Sequence, residues 1–101
     1  MVSIIFVDDM PESTDKAQAA FRAVCDRHGI SCAITSTTTA EGFLACVAKH
    51  DYDVYVIDIE LPETRGDRLV RAVRGINPLA TIAGMIGTKI SPRLLIARKN
   101  Q

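Results

Sequence analysis

Ile4-Ile5-Phe6-Val7-Asp8-Asp9 and Val54-Tyr55-Val56-Ile57-Asp58 decide how this chain is read. Each is a short apolar run that ends in acid. Such runs, without polar alternation, read as strands buried on both faces, the condition of strands in a parallel sheet. The acids then leave two strands at their carboxyl ends, the rim where open α/β sheets place ligands. Carboxylates brought close together raise one another's pKa and repel, so their meeting calls for a compensating charge. A divalent cation supplies it. Magnesium suits the pattern, because it takes oxygen ligands and is often held by only one or two carboxylates.

Working outward, Pro11-Glu12-Ser13-Thr14-Asp15 suits a loop opening a helix that runs to about His28, with Ala17, Ala20, Phe21, Val24 and Cys25 at helical spacing. Gly29 stands where a C-terminal cap belongs. Ile30 to Ser36 reads as a second strand, polar enough for a sheet edge. Thr38 and Glu41 have the spacing of a capping box before a helix carrying Phe43, Leu44 and Val47 to about His50. After Asp58 come the loop Leu61-Pro62-Glu63-Thr64-Arg65-Gly66 and a third helix marked by Leu69, Val70 and Val73, ended by Gly75 and Pro78. Thr81 to Ile86 reads as a fourth strand and Gly87 to Ile90 as a loop. Ser91-Pro92 then predicts the start of a fourth helix. The alternation β-α-β-α-β-α-β-α predicts a parallel sheet with right-handed crossovers and helices on both faces.

A length of 101 residues allows one domain, residues 1–101. With 48% hydrophobic and 5% aromatic residues, the core must be aliphatic, which excludes disorder. Twelve basic residues balance twelve acidic ones, so composition gives no footprint for nucleic acid or anionic membrane. Cys25, Cys32 and Cys46 lack C-x-x-C or His-rich spacing and read as buried free thiols in a reducing cytoplasm. No stretch is long and apolar enough for a membrane span, and no basic region precedes the first apolar run. A cytoplasmic location is expected.

With those residues in view, the chain resembles the receiver domain of bacterial response regulators, the phosphoacceptor half of two-component signalling. The resemblance rests on four features in order: Asp8-Asp9 after the first strand, Asp58 after the third, Leu61-Pro62 with Gly66 in the next loop, and Thr88 after the fourth strand. It covers about residues 3 to 99, and Asp58-Ile59-Glu60-Leu61-Pro62 with Leu69 and Arg74 looks most like receivers that precede LytTR-type DNA-binding domains. The resemblance implies a flavodoxin-like three-layer sandwich with sheet order 2-1-3-4, the first and third strands lying side by side. It makes Asp58 the acceptor of a phosphoryl group from a sensor histidine kinase or phosphotransfer protein, and Thr88 a hydroxyl contact to that group. Asp9 and Asp58 would bind magnesium directly, Asp8 largely through water, and the backbone carbonyl of Glu60 would complete the protein ligands. Such a protein turns over no substrate beyond its own phosphoryl group.

Taken singly, each aspartate reads as a loop acid or helix cap, and Thr88 as a turn residue. It is their register that makes a site. Glu63, Arg65 and the Glu60 side chain read as solvated, and His28 and His50 as favourable charges at helix C-termini. The family's fifth strand with its lysine, and its fifth helix, find no counterpart in the sequence, so a C-terminally incomplete receiver is expected. The fourth strand would then be an exposed apolar edge, which predicts a homo-oligomer or a covering partner. The same loss supports a second reading, a pseudo-receiver acting as a phosphorylation-independent interaction module. A third, a magnesium phosphatase of the haloacid-dehalogenase kind, rests on Asp58-x-Glu60 alone, and that motif belongs after a first strand. Nucleotide binding has no glycine-rich phosphate loop to support it.

Overall fold

The computed structural model describes residues 1–8, 11–58, 66–86 and 89–96. Strands β1 (Val2–Val7), β2 (Cys32–Thr37), β3 (Val54–Asp58) and β4 (Thr81–Ile86) alternate with helices α1 (Pro11–Arg27), α2 (Ala40–Lys49) and α3 (Gly66–Ile76), and a further strand, β5 (Lys89–Ile96), follows. The sheet order is β2-β1-β3-β4-β5. The four strands expected from sequence pair in parallel in the order 2-1-3-4, the flavodoxin-like arrangement.

Parallel pairing explains why the β1 and β3 runs show no polar alternation: both faces are covered. Ile5, Val7, Tyr55, Ile57 and Ile82 pack on one face against Phe43 and Val47 of α2 and Leu69 and Val73 of α3. Ile4, Phe6 and Val56 face the other way, against Ala17 of α1, with Phe21 edge-on to Phe6 at 5.6 Å between ring centroids. Burying the Phe43 and Leu69 side chains contributes about 1.5–3 kcal/mol each. Along α1, Ala17, Phe21 and Cys25 recur every four residues toward the sheet, whereas Ala20 and Val24, read as part of that stripe, are exposed. No residue of β2 is fully buried, as its polar sequence foretold for an edge.

Local signals shifted slightly. Helix α1 begins at Pro11, the first-turn position proline tolerates, rather than after a loop through Asp15. The cap of α2 is Thr39, not Thr38: its Oγ1 accepts from Gly42 N at 3.0 Å, and Gly42 suits this approach because a Cβ there would sit 3.1 Å from that oxygen.

The larger correction lies beyond β4. The helix expected from Ser91-Pro92 is absent; those residues belong to β5, which pairs antiparallel with β4. Ile86 lies opposite Lys89 and Met85 opposite Ile90, and after an irregularity Ala83 faces Leu95 and Ile82 faces Ile96. Four residues, Ser91 to Leu94, therefore oppose Gly84 alone, so Pro92 sits in a bulge on an edge strand, where its missing N–H breaks no ladder. The physical reason is competition between local and sheet partners. A single Ser-Pro start signal favours a short helix, while hairpin pairing satisfies a whole row of β4 backbone groups that would otherwise lie at an edge. β4 is consequently not the exposed edge expected, and the oligomer argued from that edge loses its premise.

Candidate functional site

β1 and β3 are neighbours in register, Val7 opposite Ile57, so the next residues out, Asp8 and Asp58, stand side by side where the strands end. Both are buried, at 2% and 7% exposure. Carboxylates are almost never this buried without compensation, which is the observation that marks this rim as the candidate site. Both aspartates have interaction partners. Asp8 N donates to Thr37 O at 3.1 Å, and Thr37 Oγ1 donates to Phe6 O at 2.6 Å, so the end of β2 holds the first acid in place. Thr37 was not among the residues singled out from sequence. The run Thr37-Thr38-Thr39 reads most directly as helix-cap chemistry, which hides its contact with β1.

Helix α1 opens at Pro11, three residues after Asp8, so its N-terminal partial charge lies close in sequence to that acid. Met85 of β4 pairs with Asp58, which brings the carboxyl end of β4 to the same rim. Asp9, Glu60 and Thr88 lie outside the described residues, as do Leu61 and Pro62. Gly66 begins α3. Among the described residues no group of three or more acidic, histidine or cysteine side chains is placed to hold a metal, and Asp8 with Asp58 are the two proposed ligands they include.

The buried carboxylate pair fits a small, oxygen-seeking cation, since each added positive charge offsets repulsion that burial makes more costly. The opposite rim is closed by a structural knot. Asp53 Oδ2 accepts from Ser3 N at 2.8 Å and Ser3 Oγ at 3.2 Å, while Asp53 N donates to Ser3 O at 2.8 Å. These bonds fix the start of β3 against β1 and with it the register that aligns Asp8 and Asp58.

The arrangement matches a known structure. A response regulator from Thermotoga maritima, DrrB, an OmpR/PhoB homolog, superposes with a TM-score of 0.68 at 21% sequence identity, over 83% of this chain and 35% of that one. The fold is that of a receiver domain. The chain thus spans about a third of the length of that regulator. No family model matches the sequence, and no curated protein matches it. Among the described residues, no helix is long and apolar enough to cross a membrane.

Proposed function

We propose that the chain is a phosphoacceptor receiver of two-component signalling, taking a phosphoryl group on Asp58 with magnesium and passing the signal through protein contacts. One observation carries this reading: two buried aspartates, side by side at the carboxyl ends of the central strands of a receiver fold. Asp58 would attack the phosphorus of a phosphohistidine on a sensor kinase or phosphotransfer protein, forming an acyl phosphate while the histidine leaves. Asp9, Asp58 and the Glu60 carbonyl would hold magnesium directly and Asp8 largely through water, and the ion would supply positive charge against the donor's phosphoryl oxygens. Thr88 would donate its hydroxyl to the transferred group. The Asp8 backbone is fixed beside the acceptor by its bond to Thr37, and the apolar packing beneath both acids keeps their positions from relaxing. Added charge on Asp58 then biases the β4 end between two arrangements, read by a partner protein.

A second reading is a pseudo-receiver that binds partners without phosphorylation. Pairing of Ile86 with Lys89 favours it, because the antiparallel partner strand ties down the carboxyl end of β4. The test is intact mass after treatment with a small acyl-phosphate donor and magnesium. The phosphoacceptor reading expects one added phosphoryl group on the wild type and none on Asp58→Asn; an unmodified wild type would leave the pseudo-receiver.

A further inference from the structure

Cys25 and Cys32 meet at the rim opposite the acids. Cys25 lies near the end of α1, and Cys32 opens β2 opposite Val2. The backbone between them is fixed by a Schellman turn: Gly29 adopts φ 66°, Gly29 N donates to Asp26 O at 3.1 Å, and Ile30 N donates to Cys25 O at 2.8 Å. That turn folds the chain back, and Arg22, three residues before Cys25 on the same face of α1, reaches Cys32 with its guanidinium, which sets the start of β2 against the helix face that carries Cys25. A charge stands beside the second sulfur. Arg22 Nη1 donates to Cys32 Sγ at 3.9 Å. Cys32 is half-buried and lines an open groove of about 390 Å³ with Arg22, Asp26, Gly29, Ile30 and Ser31, whereas Cys25 is buried against the sheet.

We propose that Cys25 and Cys32 form a reversible disulfide on reaction with a hydroperoxide, Cys32 reacting first and Cys25 resolving. The Cys32 sulfur attacks the peroxide oxygen; the O–O bond breaks, the departing oxygen leaves as an alcohol or water, and Cys32 becomes a sulfenic acid. Cys25 sulfur then attacks Cys32 sulfur, the S–O bond breaks, and water leaves with the Cys25 proton. Two thiols have lost two electrons to one hydroperoxide. The order of events follows from access. The groove reaches Cys32, whose sulfur the Arg22 guanidinium contacts, and leaves Cys25 behind it. Burial, and after it the neighbouring Cys32, push the Cys25 thiol up from its ordinary value and keep it protonated until its partner is oxidised. Transient, redox-sensing disulfides are the kind that reducing compartments permit. The proposal is independent of the phosphoacceptor reading.

The test treats the fully reduced protein with hydrogen peroxide and follows intact mass and alkylatable thiols. The wild type should lose about 2 Da, the two hydrogens of one disulfide, and keep one alkylatable thiol, with dithiothreitol restoring the original mass. Cys46→Ser should lose the same mass and keep no thiol; tryptic peptides 23–27 and 28–49 of that variant should be found joined. Cys32→Ser should lose none, and Arg22→Gln should react more slowly at equal peroxide. An unlinked peptide pair in oxidised Cys46→Ser would overturn the proposal, even if Cys32→Ser failed to fold. So would mass gained as oxygen with no 2 Da loss, or disulfides formed only between chains.

Discussion

Replacing Asp58 with asparagine removes one of two buried negative charges while keeping size and most hydrogen-bonding capacity. Neighbouring strands lie about 4.8 Å apart, and two carboxylates at that spacing repel by about 3 kcal/mol at an effective dielectric of about 20. Asp58 also has interactions of its own, and weakening a hydrogen bond to a charged group costs about 1.5–3 kcal/mol. Partial retention of that bond by the amide leaves a net gain of about 1 kcal/mol for Asp58→Asn without metal, or roughly 4–8 °C in Tm for a domain of this size. Magnesium reverses the order. At about 100 times its dissociation constant, a ligand specific to the folded state stabilises by about 2.7 kcal/mol, and the variant, lacking one carboxylate ligand, gains far less. Urea unfolding of both proteins in EDTA and in saturating magnesium measures this directly. The curves should cross: variant more stable in EDTA, wild type more stable in magnesium. An Asp58→Asn protein less stable than wild type in EDTA, with equal responses to magnesium, would refute the reasoning that these acids form a repulsive pair built for a cation.

Other elements give sharper local tests. Gly29→Ala should destabilise by about 1–2 kcal/mol in urea unfolding, the cost of a side chain in the left-handed region, because no atom lies within 4 Å of the added Cβ and the effect is purely conformational. Tyr55 is 1% exposed and its hydroxyl accepts from Tyr52 N at 3.1 Å, so Tyr55→Phe should cost about 1–3 kcal/mol by stranding a buried N–H. Burial pushes the Tyr52 phenol up from its ordinary value of 10.0, so the folded state keeps its proton longer than the unfolded one. That contribution to stability is complete below pH 10.0 and lost as pH rises through the raised folded value; thermal melts of Tyr52→Phe should show a smaller alkaline decline than wild type.

The parallel core was legible because its signals were redundant. Continuous apolar runs at Ile4–Val7 and Val54–Ile57, helical spacing in α1 to α3 and turn residues between them all pointed to a parallel sheet with crossover helices, the receiver resemblance implied the order 2-1-3-4, and the observed pairing agrees with both. Asp8 and Asp58 were legible as a pair for the same reason: a strand end positions whatever residue follows it. The region after β4 was not. Ser91-Pro92 carries a strong local helix signal, but Ile90, Leu94, Leu95 and Ile96 suit a strand equally, and the outcome depends on an open row of β4 backbone groups that no local window contains. Thr37's support of Asp8 and the meeting of Cys25 with Cys32 were invisible for a related cause. Both depend on which residues of β2 lie against β1 and α1, a matter of register rather than composition.

The central claim is that Asp58 accepts a phosphoryl group. Treating the wild type with a small acyl-phosphate donor and magnesium, reducing the product with borohydride and sequencing the peptides by mass spectrometry locates the modified carboxyl. Conversion of residue 58 to homoserine, dependent on magnesium and preceded by a gain of about 80 Da, is the predicted result. A stable, folded protein that gains no phosphoryl mass, or carries it at another residue, would contradict the claim.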